Sequence, residues 1–182
     1  MPRALRISNK LLSLRDRIEI FDVTNTVIYS CSRVSLFSPR SFVVIAGEAE
    51  VARIKRKLFS WTPTWLVEGK AGDFTIRTRI FTLRRVYDVK GGPFHGAEVR
   101  GNLWDARFLI ALNETLVAQA NKRLISLRDT HVAEVVKDDD AAELFTVIAM
   151  IVLLLHNKEK REDDREEKQR DRQRRAFDDG FV

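Results

Sequence analysis

The stretch Arg53-Ile54-Lys55-Arg56-Lys57 places four cations in five residues. In an extended chain alternate side chains share a face, so Arg53, Lys55 and Lys57 point one way. Arg77 and Arg79 share a face by the same rule within DFTIRTRIF, residues 73–81, and Arg84-Arg85 follow. Cations converging from neighbouring strands can hold phosphate groups. Arg53, Lys55, Lys57, Arg77 and Arg79 are therefore the candidate anion site. Solvated outer faces that keep strand edges from associating would carry the same residues. Arg56 falls on the opposite, inward face, where a charge signals a bulge or a barrel rim.

Other chemistry is sparse. His95, His131 and His156 are scattered, with no second ligand at metal-binding spacing, so no metal site is expected. Cys31 is the one cysteine; it has no intrachain disulfide partner and is expected as a small buried strand residue. A serine, His131 and an aspartate could be assembled on paper, but there is no Gly-x-Ser-x-Gly elbow and no glycine-rich phosphate loop. Lys90-Gly91-Gly92-Pro93 has turn chemistry instead. No catalytic residue and no cofactor is assigned, and an enzyme is not expected. Trp61, Trp65 and Trp104 alternate with charge; core or rim packing is expected of them rather than stacking on bases.

The formal net charge is +6. After His156 the chain holds nine Lys/Arg and nine Asp/Glu, so the excess belongs to residues 1–156. A basic body suits anionic lipid first, nucleic acid less, or an acidic protein. The N-terminus has arginines but no apolar h-region, so no secretory signal is read and a cytoplasmic location is expected, peripheral at a membrane if lipid is the partner.

The elements that must position these residues are mostly strands. In DFTIRTRIF, Phe74, Ile76, Thr78 and Ile80 alternate with Thr75, Arg77 and Arg79, the period of a half-buried strand. TVIYSCSRV, SFVVIA, TWLVEG, RRVYDV, AEVRGN, ARFLIALN and THVAEVV are similar runs. Thr24-Asn25, Ala46-Gly47-Glu48, Gly91-Gly92-Pro93, Gly101-Asn102 and Asn113-Glu114 separate them as turns. This rhythm predicts a meandering antiparallel sheet.

One segment breaks the pattern. Leu144 to Leu155 is apolar except for Thr146, and it follows Asp138, Asp139 and Asp140. Those carboxylates suit a helix N-terminus, with Asp140 as the N-cap. A helix apolar all round lies inside protein or inside lipid. Ala141 to Leu155 would span about 22 Å at ~1.5 Å per residue, against a bilayer core of roughly 30 Å. A buried helix is expected, near residues 140–158. A closed β-barrel round that helix satisfies both patterns; a two-layer sheet enclosing it is the competitor. Residues 159–182 form a charged tail that either extends the helix or is disordered, with a protein partner as one use for it. One domain, residues 1–158, and a monomer are expected.

A short unit recurs three times: ALRISNKLLS (4–13), VARIKRKLFS (51–60) and VAQANKRLIS (117–126). Two copies continue as Leu-Arg-Asp, giving NKLLSLRD (9–16) and NKRLISLRD (121–129). Unequal spacing argues against a solenoid and for a strand-and-corner unit used repeatedly in one sheet. These copies, the Asp22…Asn25-x-Val27-x-Tyr29 hairpin, the Glu50–Leu58 strand and the Asp-rich start of an apolar helix together resemble the LURP-one-related family, over about residues 4–158. That family is grouped with tubby C-terminal domains and phospholipid scramblases. The resemblance implies a twelve-stranded antiparallel barrel round a hydrophobic C-terminal helix. It also implies a non-enzymatic binding or scaffold role, with phosphoinositide recognition by basic side chains on adjacent strands as in tubby-type domains. A nucleic-acid-binding or transcription-associated domain and a scramblase-like lipid-handling protein are the alternatives. The single Cys, the four Pro and the charged tail depart from the scramblase pattern.

Overall fold

The structure is a computed structural model, and it describes residues 3–8, 17–35, 37–82, 85–102, 107–120 and 130–178. Twelve strands run in chain order: β1 Arg3–Ser8, β2 Ile18–Phe21, β3 Val27–Ser35, β4 Ser38–Ala46, β5 Ala49–Arg56, β6 Thr64–Gly69, β7 Phe74–Thr78, β8 Val86–Lys90, β9 Glu98–Asn102, β10 Arg107–Leu112, β11 Thr115–Ala120 and β12 Thr130–Val135. Each pairs antiparallel with its sequence neighbours, and β1 pairs with β12 in the register Arg3↔Val135 to Ser8↔Thr130. The sheet is therefore a closed barrel, and the two-layer alternative falls away.

The one helix among the described residues, α1 (Asp140–Asp178), fills it. Ala142 and every residue from Leu144 to Leu155 are buried, Thr146 among them because its hydroxyl donates to the Ala142 carbonyl at 2.7 Å. Inward residues such as Leu5, Ile20, Val44, Ile54, Ile76 and Ile110 meet them from the wall. The apolar window of α1 would satisfy the length and composition of a membrane span, yet 78% of it is buried inside the barrel. Burial on all sides explains why the helix needs no polar face. The cap is Asp139 rather than Asp140: its carboxylate accepts from Ala141 N at 3.0 Å, and its carbonyl accepts from Glu143 N.

Several boundaries differ from the sequence pattern. Gly101-Asn102 lies inside β9, not in a turn. β7 ends at Thr78, so Ile80 leaves the core face and is half-exposed; the chain turns out of the sheet towards Phe81, at φ 61°. Asn113 and Glu114 both take positive φ, the conformation of a two-residue hairpin turn that follows strand twist. Gly69 is required by close approach: a Cβ there would stand 2.4 Å from the Val51 carbonyl oxygen. The tail beyond His156 continues α1 without a break to Asp178, exposed from Lys160 to Arg174.

Because all pairs are antiparallel, the links after β1, β3, β5, β7, β9 and β11 leave one end of the barrel. All three copies of the repeat coincide with a link of this kind. The copies at 9–16 and 121–129 lie outside the described residues, as does Trp104, but Ser8 and Ile18, and Ala120 and Thr130, end their strands at the same mouth as Arg56 and Thr64. The helix also leaves through this mouth, since Arg33, Arg40 and Arg56 face Leu155, Glu159 and Glu162 there.

Candidate functional site

The five candidate cations do not meet at one point. β6 lies between β5 and β7, so the two groups are separated by a strand, about 10 Å across the sheet. Arg53 is drawn to Glu50, with Nε and Nη2 donating to its carboxylate at 3.1 and 3.2 Å, and it stands opposite Glu68. Arg79 bridges Asp88 and Glu98, its Nη2 donating to Glu98 Oε1 at 2.7 Å. Hydrogen bonds from Arg79 and then Arg100 hold the Glu98 carboxyl below its usual range. Arg77 Nε donates to Thr62 Oγ1 at 2.8 Å, fastening the β5–β6 loop to β7. Lys55 and Lys57 have no ion pair among the described residues and remain exposed on the outer face.

The loops beside these lysines expose large apolar side chains. Phe59, Trp61 and Phe81 are 93%, 99% and 100% exposed, and Leu58 and Ile80 accompany them. The two loops are neighbours, because β6 pairs with β7 and Thr78 N donates to the Pro63 carbonyl at 2.9 Å. Phe37, 98% exposed, tips the β3–β4 turn at the same mouth. Trp61 was expected to pack at the core or rim; it sits at the rim but packs on nothing, whereas Trp65 is the buried member of the pair. Sequence reasoning missed these tips because a lone aromatic among charges carries no periodic signal. Arg84 and the side chain of His131 lie outside the described residues.

Arg56, the cation on the wrong face by alternation, has a clear place. It points inward at the mouth, where the barrel interior meets solvent. Its guanidinium lies 4.9 Å from the Trp65 ring centre, Nε is 3.1 Å from Glu159 Oε2, and Nη1 donates to the carbonyls of Lys57 and Thr64. Beside it Tyr87 Oη and His156 Nδ1 are 2.9 Å apart, and Arg85 binds Asn157. Burial, then the positive charges of Arg85, Arg56 and Lys160, lowers the His156 pKa to about 4.

The other mouth is built by the motif residues quoted above. Asp22 Oδ1 accepts from Thr24 N, Thr24 Oγ1 and Thr26 N at 2.7 to 2.9 Å and so shapes the β2–β3 turn. Those bonds, led by the Thr24 hydroxyl, lower its pKa. Tyr29 Oη donates to Glu143 Oε1 at 2.8 Å, and Arg3 holds Glu143 and Asp140 at 2.8 and 2.7 Å. Tyr29 and Arg3 thus seat the first turn of α1 through Glu143 and Asp140, and Asp22 shapes the turn beside them, which makes these residues structural.

Cys31 is fully buried and burial pushes its thiol to about 12, so it is no nucleophile. Among the described residues no group of three His, Cys, Asp or Glu is placed to hold a metal ion.

The family model for LURP-one-related proteins matches residues 3–154, from the first strand through the buried part of α1. The chain belongs to the LURP-one-related family. A protein from Arabidopsis thaliana of known X-ray structure shares its fold, with a TM-score of 0.62, 15% identity, and coverage of 86% of this chain and 91% of that one. No curated protein matches it in sequence. In this LURP-one-related barrel Arg3 and Tyr29 hold α1 at one mouth and Arg56 holds it at the other, while the exposed tips Phe59, Trp61 and Phe81 lie on the loops beside Arg56.

Proposed function

We propose that this chain is a non-enzymatic binding module that docks peripherally on anionic phospholipid surfaces through the sector of the barrel around β5, β6 and β7. The observation that carries the reading is the pair of adjacent loops that expose Phe59, Trp61 and Phe81 beside Lys55 and Lys57, which have no ion pair among the described residues. Apolar tips of this size are unusual on a monomer's surface. Aromatic rings are at home in the headgroup region of a bilayer, and neighbouring lysines are attracted by anionic lipid at roughly 1 kcal/mol each. Arg53 and Arg79 drop out of the proposed site because carboxylates already neutralise them, and Arg77 serves it by holding the loop through Thr62.

Sedimentation with phosphatidylcholine vesicles, with and without phosphatidylserine or phosphoinositide, tests this. The wild type is expected to pellet with the anionic vesicles and to be released by salt. Phe59→Ser with Trp61→Ser should weaken binding about tenfold, and Lys55→Ala with Lys57→Ala should weaken it and flatten the salt dependence. Absence of binding at low ionic strength, or variants equal to wild type, would overturn the reading. Binding to DNA or RNA in place of vesicles, with the usual steep salt dependence, would replace it with nucleic-acid recognition.

A further inference from the structure

We propose that the mouth from which α1 leaves the barrel binds a zwitterion, a compound that carries an oxyanion at one end and an ammonium group at the other. A cavity of about 350 Å³ lies there between the β3–β4 hairpin, the end of β5 and α1. Its two walls have opposite charge. Arg33, Arg40 and Arg56 stand on the barrel side. Glu159, Glu162, Asp163 and Glu166 stand on the helix side, at the i, i+3, i+4, i+7 spacing that puts them on one stripe of α1. Lys158, also on α1, brings the described lining to four cations and four carboxylates, with Arg56 paired to Glu159 and Glu166 to Arg170. Phe42 and Leu155 supply apolar surface where the barrel interior begins.

Walls of opposite charge on flexible supports would close on each other. Here both stand on regular elements. The hairpin is held by the β3–β4 ladder, with Arg33 paired opposite Phe42. The helix is held by the buried turns from Leu144 to Leu155. The Arg56–Glu159 bridge closes the inner end, and the space outside it remains open. A simple anion in that space meets the acidic stripe, and a simple cation meets the arginines, so each loses on one wall what it gains on the other. A dipolar ligand gains on both. The volume is at the small end for ligand pockets, which suits a headgroup or small metabolite such as phosphoethanolamine. Phe59, Trp61 and Phe81 take no part in this lining, so the site is independent of the loop face proposed above.

Calorimetric titration of the full chain with phosphoethanolamine, inorganic phosphate and ethanolamine tests the proposal at low ionic strength. Phosphoethanolamine is expected to bind at least about tenfold tighter than either half. Arg40→Ala, or Glu162→Gln with Glu166→Gln, should each remove about tenfold of that affinity. All three positions are exposed, and thermal melts will report whether folding is intact. Glu162→Lys with Glu166→Lys turns both walls basic and should invert the preference towards inorganic phosphate. Trp61→Ser should leave phosphoethanolamine binding unchanged while it weakens vesicle binding. Phosphatidylethanolamine vesicles separate the sources: protein displaced from them by free phosphoethanolamine has a lipid headgroup as its ligand, and binding of the soluble compound alone points to a metabolite. Equal affinity for phosphate and phosphoethanolamine, or no heat at millimolar concentration, would overturn the proposal.

Discussion

Tyr87 Oη and His156 Nδ1 face each other at 2.9 Å where the helix leaves the barrel, with the Trp65 ring centre 5.1 Å from the imidazole. Tyr87 is itself buried and its pKa rises to about 12, chiefly through desolvation. Both partners are therefore neutral in the fold, and the imidazole tautomer sets which of them donates.

That pairing predicts a pH-dependent stability. The His156 pKa is lowered from 6.5 to about 4 in the fold, so between these values the unfolded chain binds the proton more readily. The sign is a loss of stability as pH falls from 6.5 to about 4, complete below the folded value. Urea midpoints measured across this window for wild type and His156→Phe should converge as the pH falls, the wild type having the steeper slope. Parallel curves would show that the histidine is not held neutral.

A charge placed in the barrel has no partner. Ile148 and Val152 are 0% and 1% exposed among aliphatic neighbours. Ile148→Asp should cost about 4 kcal/mol or more, enough to unfold an ordinary domain. Circular dichroism of the purified variant, or its recovery in the soluble fraction, checks this, with Ile148→Val expected to cost only about 1 kcal/mol.

Arg56 joins barrel and helix through an ion pair, a ring contact and two backbone carbonyls. Arg56→Ala should destabilise by about 2 kcal/mol, measured by denaturant titration. Arg56→Lys should recover less than half, since an ammonium cannot serve Glu159, the ring and two carbonyls from one plane.

Phe81 is fully exposed and sits at φ 61°, a conformation that costs a non-glycine residue about 1–2 kcal/mol. The fold gains nothing visible from that side chain. Phe81→Asn should therefore raise the melting temperature slightly while it weakens vesicle association. A gain in stability with unchanged vesicle binding would make Phe81 a passive strained residue.

Period-two alternation made the strands readable because each inward residue, such as Phe74 or Ile76, faces a continuous apolar core. The same contrast exposed the helix: a run from Leu144 to Leu155 with no polar stripe has to be surrounded. Charge parity flagged Arg56 as an exception but not its partners, because Glu159 lies 103 positions away and only the closed sheet brings them together. The anion site was the least legible part. Local sequence shows which way Arg53 and Arg79 point, but Glu50 is local and Glu98 is not, and either carboxylate is enough to neutralise its arginine. The loop tips were hidden for a different reason. Trp61 and Trp65 have the same composition around them, and their opposite fates depend on where β6 begins.

The placement of α1 after all twelve strands also orders events at the ribosome. Twelve strands emerge before the segment that forms their interior, and β1 finds its last neighbour only when β12 has been made. Until then the sheet has open edges and an uncovered apolar lining, and its longest-range pairing remains unformed. Completion of α1, rather than of any hairpin, is thus the step that removes this open apolar lining and allows the barrel to close on a filled core.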